Sequence, residues 1–81
     1  MRGESVEPPE ISAKEDEAVR LAHPDIESLR SWVVYRETGG GYVVDRVVPA
    51  DEGRVELGAG QWAISAAGRH GAESEGYAFE L

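Results

Sequence analysis

Residues 61–74, QWAISAAGRHGAES, restrict what this chain can fold into more than any other stretch. Trp62, Ile64 and Ala66 alternate with Ala63, Ser65 and Ala67. Successive side chains of a strand point to opposite sides of a sheet, so this period of two predicts a strand with one well-buried face. Gly68-Arg69-His70-Gly71 ends the alternation, and its two glycines supply backbone freedom for a turn. Residues 72–81 are then placed to come back as a partner strand.

The same signals recur upstream. In residues 31–37 (SWVVYRE), Trp32 and Val34 share one face while Val33 and Tyr35 share the other. Apolar residues on both faces mark a central strand covered on two sides, or one with an aromatic lying across its outer face. Thr38-Gly39-Gly40-Gly41 is a hairpin signal, and residues 42–48 (YVVDRVV) return from it. Residues 49–53 (PADEG) break that strand. Residues 54–57 (RVEL) alternate again with Val55 and Leu57 inward, and Gly58-Ala59-Gly60 leads into the strand at Trp62. Short strands punctuated by Gly and Pro predict an all-β sandwich or small barrel.

Residues 11–23 (ISAKEDEAVRLAH) allow two readings. One is a pair of strands, 11–14 and 18–23, joined by an acidic turn at residues 15–17. The other is an N-terminal helix, with Ser12 and Glu15 as a capping box followed by good helix formers; it would make the protein α+β, a small cytosolic interaction protein. The β character of everything downstream favours strands. Between this segment and the Trp32 strand, Pro24-Asp25 starts a turn, and Ile26 and Leu29 are placed to cap the core in one helical turn. Residues 1–10, with Pro8-Pro9, read as a linker or extended lead-in, which leaves 11–81 as the domain.

A chain of 81 residues has room for one core, and at this length only about 60–65 % of the unfolded surface is buried. With no cysteine, neither a disulfide framework nor a thiolate metal site adds to that core. Sixteen acidic residues against eight basic ones give a net charge of −8, which repels phosphate backbones and argues against nucleic acid as a partner. Seven of the eight basic residues are Arg, a bias that suits a GC-rich genome, while an acidic, lysine-poor surface also suits a high-salt cytoplasm. No apolar run approaches the roughly 18 residues of a membrane span, and the first ten residues carry no signal-peptide apolar region. Neither observation fixes the compartment.

With Trp32-Val33-Val34-Tyr35-Arg36 and residues 62–74 in place, the chain resembles a fibronectin type III domain, an immunoglobulin-like β-sandwich. It is most similar to the modules appended to secreted bacterial glycoside hydrolases. In that family an aromatic-x-Val-Tyr-Arg strand is followed by a Gly-rich hairpin, here residues 38–41. A strand ending in Leu (Leu57) then leads to aromatic-x-(Val/Ile)-x-Ala, here Trp62 to Ala66, and to a Gly-x-x-Ser loop, here Gly71 to Ser74. The resemblance covers residues 31–74 and extends more weakly to residues 6–23. It departs from the family at His23, where a core tryptophan is usual, and at Trp62, which stands one residue before the usual corner tyrosine. The chain is also short for the family, leaving seven strands or, with an edge strand trimmed, six. What the resemblance implies is a non-catalytic accessory or spacer domain beside a catalytic domain acting on carbohydrate, extracellular if its parent is secreted. The Arg69-His70-Gly71 loop stands where some members carry an Arg-Gly-Asp motif; that motif is absent here, and integrin binding is not implied.

No catalytic, cofactor or metal residues emerge from the sequence. Two histidines without Cys or spaced carboxylates are too few for zinc, so His23 reads as a core residue and His70 as a solvated loop residue. Ser65 with His70 lacks both a nucleophile elbow and a base–orienter pair. Glu73 with Glu75, and Asp51 with Glu52, read as surface charge, because a small sandwich offers no cleft to set two carboxylates across a glycosidic bond. Trp32, Trp62 and Tyr35 are expected in the core, each stabilising by about 2–3 kcal/mol on burial. The candidate binding surface is Tyr42, Arg69, His70, Glu73 and Tyr77. It would serve a neighbouring catalytic domain or, were the chain a stand-alone binding module, a protein partner or, through tyrosine stacking, carbohydrate.

Overall fold

A computed structural model describes residues 6–81; the first five residues of the predicted lead-in lie outside the described residues. Seven strands follow in order: β1 (Glu10–Lys14), β2 (Ala18–Ala22), β3 (Leu29–Glu37), β4 (Tyr42–Pro49), β5 (Arg54–Glu56), β6 (Gln61–Gly68) and β7 (Tyr77–Glu80). They form two antiparallel sheets, β1-β2-β5 and β4-β3-β6-β7. The only helical turn among the described residues is a 3-10 turn at Ile26–Ser28.

The helical alternative for residues 11–23 is not adopted. β1 and β2 pair with Ile11 opposite Leu21 and Lys14 opposite Val19. Ser12, instead of capping a helix, donates its hydroxyl to the Arg20 carbonyl across the strands at 3.3 Å. The local helix signals lose because strand pairing buries Val19 and Leu21 against the second sheet, whereas an isolated helix of this length has little stability of its own. Of the two residues expected to cap the core, Leu29 is buried and Ile26 is exposed.

One core joins the sheets face to face. Val19, Leu21 and Val55 supply the three-stranded side; Trp32, Val34, Trp62, Ile64, Ala66 and Phe79 supply the other. Pro9 is fully buried and Val6 packs against the core, so the lead-in contributes to the fold from Val6 onward. β3 is central, with β4 on one side and β6 on the other. Its register sets Val33 beside Val47 and Ser65, and Tyr35 beside Val44 and Ala63. Those six residues lie on the face turned away from the core, because Trp32 and Val34 occupy the inner one. β6 departs from the expected single buried face: Ala63 and Ser65, on its outer side, are buried as well.

Candidate functional site

The outer burial of β6 is explained by the loop that follows it. Glu73 forms an isolated bridge with Ala67, which brings its side chain back over the sheet. There one carboxylate oxygen accepts hydrogen bonds from the hydroxyls of both Tyr35 and Ser65. The hydrogen bond from Ser65, then that from Tyr35, favours the charged form and holds the Glu73 carboxyl below the ordinary carboxylate range, while burial opposes them. The same bond, with burial, pushes the Tyr35 phenol up. Ser65 is 1 % exposed, and its hydroxyl is directed at Glu73 rather than at a histidine. The cluster therefore latches a loop to a sheet face.

A second group lies at the end of the sandwich where the β2–β3 and β6–β7 connections meet. His23, Asp25, Ser28, Arg69 and His70 line a cleft of about 400 Å³. The two histidines share this cleft with different roles. His23 accepts the Asp25 backbone N–H at Nδ1 (2.9 Å) and uses Nε2 toward the Glu7 carbonyl (2.8 Å). An acceptor at Nδ1 fixes Nε2 as the donor, so both nitrogens are spent on backbone. Its ring stands 6.3 Å from that of Trp32, tying the lead-in and the loop to the core. His70 is exposed. Arg69 donates Nε–H to the Glu27 carbonyl at 3.3 Å and makes no ion pair among the described residues. No group of three His, Cys, Asp or Glu able to hold a metal ion occurs among the described residues.

The third feature is the outer face of the four-stranded sheet at β4. Tyr42, Val44 and Val47 are 45 %, 57 % and 60 % exposed, and they adjoin the half-buried Val33 and Tyr35. The register places Val44 opposite Tyr35 and Val47 opposite Val33, so the side chains form one apolar strip along the sheet edge. An edge strand has no neighbour to cover its outer residues, which is why valines suited to a strand interior remain in solvent here.

The structure separates the residues expected to share a binding surface. Arg69 and His70 line the cleft at one end of the sandwich. Glu73 sits over the outer face with Tyr35. Tyr42 opens β4, next to the β3–β4 hairpin at the other end. Tyr77 lies on β7, the opposite edge of the same sheet, and is paired with Ile64 on the inner side. Val44, Val47 and Val33 were not singled out from sequence. Their signal was the run YVVDRVV, apolar on both faces of what the order of strands makes an edge.

Compared with family models, curated proteins and solved structures, the chain matches none. No helix among the described residues is long and apolar enough to cross a membrane.

Proposed function

We propose that this chain is a non-catalytic interaction domain of the fibronectin type III kind. In this reading it docks, through the outer face of β3 and β4, on a neighbouring domain. That neighbour is a catalytic domain acting on carbohydrate, in keeping with the family the sequence resembles. The fold part of the reading is supported by the strand order β1-β2-β5 against β4-β3-β6-β7. It is supported further by Trp62, whose indole N–H bonds back to the Gly58 carbonyl much as a corner tyrosine ties the same turn in such sandwiches.

The observation that carries the docking reading is the strip of Tyr42, Val44 and Val47 beside Val33 and Tyr35. Isolated exposed apolar residues are ordinary, but a contiguous strip on one sheet face marks a surface that meets another. Hydrogen exchange of Tyr42–Pro49 tests it, measured at one low micromolar concentration in the chain alone and in a longer polypeptide that includes its neighbour. Slower exchange in the longer polypeptide is expected, and equal rates would remove the docking reading. Titration with cello-, xylo- and chito-oligosaccharides, following the Tyr42 and Tyr77 ring signals, tests the carbohydrate alternative. Those rings stand on opposite edges of the sheet, so one sugar chain lying across the sheet cannot stack on both from the same face.

A further inference from the structure

The backbone of β4 carries information that its side chains do not. At the hairpin end, the Thr38 N–H donates to the Gly41 carbonyl at 2.8 Å; at the other end, the Ala50 N–H donates to the Arg30 carbonyl at 3.2 Å. Hydrogen-bonded and non-hydrogen-bonded pairs alternate along an antiparallel ladder. Counting inward from both ends with the observed register, Val43, Arg46 and Val48 face β3 with their polar groups. Tyr42, Val44 and Val47 direct theirs away from the sheet. The count changes phase in the middle, where the register shifts between Val34 and Tyr35 and Asp45 is the extra residue of a bulge. The free edge therefore presents outward groups at residues 42, 44, 47 and 49, with a step of three at its centre; Pro49 offers only its carbonyl.

This pattern is its own complement. We infer that β4 pairs antiparallel with β4 of a second copy of this chain about a two-fold axis between Asp45 and Arg46. In that register Val44 meets Val47 of the second copy and Tyr42 meets its Pro49, each pair contributing outward backbone groups. The step of three on one strand falls opposite the step of three on the other. Any other register sets a step of three against a step of two and loses the ladder on one side of the bulge. The charges agree as well. Asp45 comes opposite Arg46 of the second copy, and Arg46 opposite its Asp45, so two opposite-charge cross-strand pairs form at the axis. On the outer face the four valines, now 57 % and 60 % exposed, become two directly opposed pairs.

A bulge and charged side chains at an edge normally deter strand addition. Here they deter every strand except one with the same sequence in the same register. Within one copy Arg46 already reaches Asp45 at 2.7 Å and the Glu56 carbonyl at 2.8 Å, and Asp45 lies 3.6 Å from Arg36. These contacts hold both charged groups at the edge where the second copy arrives. The result is an eight-stranded continuous sheet with the apolar strip at its middle, an isologous contact that closes on itself.

Sedimentation equilibrium of the chain, with residue-resolved amide exchange at micromolar and millimolar concentration, tests this. The expected result is a dimer in which the Val44 and Val47 amides, unbonded within one copy, become protected as concentration rises. Arg46→Asp should abolish dimerisation by setting like charges across the axis. The double exchange Asp45→Arg/Arg46→Asp should restore it, although the contact from Arg46 to Glu56 remains lost. A chain that stays monomeric at millimolar concentration, with Val44 and Val47 exchanging freely, overturns the inference. So does a dimer in which those two amides stay unprotected, or one that Arg46→Asp leaves intact. The docking reading would survive such a failure, because it is read in the longer polypeptide.

Discussion

Trp62 donates its indole N–H to the carbonyl of Gly58, four residues back, at 3.1 Å. Gly58 takes φ +92, a conformation that costs a residue with a Cβ, so the turn and the tryptophan specify each other. Trp32 offers the contrast: it is fully buried, and its indole N–H has no partner among the described residues. Trp62→Phe should cost about 2 kcal/mol, combining lost volume with an unpaired carbonyl. Trp32→Phe loses similar volume but also removes an unsatisfied buried donor, and should cost less than about 1 kcal/mol. Urea denaturation of the two variants checks the ordering.

Removing Glu73 leaves the buried Ser65 hydroxyl without its acceptor. Glu73→Ala should destabilise by about 1–2 kcal/mol at neutral pH, read from urea midpoints. The pH dependence has a defined sign. The Glu73 pKa is lowered in the fold, so its contribution is fully present above the unfolded carboxylate range and is lost as pH falls through the folded value. The Tyr35 pKa is raised, so its contribution is present below the unfolded phenol range and is lost as pH rises through the folded value. The difference between wild type and Glu73→Ala should thus be flat from about pH 5 to pH 9 and shrink outside that window.

On the outer face of the three-stranded sheet, Arg20 and Arg54 stand directly opposite each other on β2 and β5. Glu15 bridges them, at 3.0 Å from Arg20 and 2.8 Å from Arg54. The hydrogen bonds from Arg54 and then Arg20 hold its carboxyl below the ordinary range. Glu15→Gln should lower the melting temperature by leaving two like charges paired across the strands. Because the group is in solvent, the loss should fade as salt is added. Melting curves at low and high sodium chloride decide it.

β2, β3 and β6 were legible because each carries large apolar residues at a spacing of two that the core later buried: Val19 with Leu21, Trp32 with Val34, and Trp62 with Ile64. Strand order was not legible. YVVDRVV reads the same whether it lies inside a sheet or at its edge, and only the topology shows that Val44 and Val47 have no neighbour. Glu73 was legible as a loop acid near a strand, but its partners Tyr35 and Ser65 are 38 and 8 residues away, and no local pattern links them. His23 was read as a core residue, and it is half-buried beside Trp32. The two backbone contacts that orient its ring depend on loop geometry, which composition does not encode.

Val44 and Val47 are solvent-facing, so Val44→Lys and Val47→Lys should each change folding stability by no more than about 0.5 kcal/mol. If the outer face docks, the same variants should abolish the slower exchange of β4 in the longer polypeptide. Unchanged protection in a folded variant would separate that protection from the apolar strip.

On the proposed docking, the β4 face, and not the cleft holding Arg69 and His70, is where this domain meets its neighbour. Photo-crosslinking tests it directly, with p-benzoylphenylalanine placed at Val47 in one preparation and at His70 in another, in the organism that encodes the chain. A discrete adduct from position 47 to a peptide outside residues 1–81, identified by peptide mass spectrometry, is expected, with none from position 70. An adduct from position 70 with none from position 47 would contradict it.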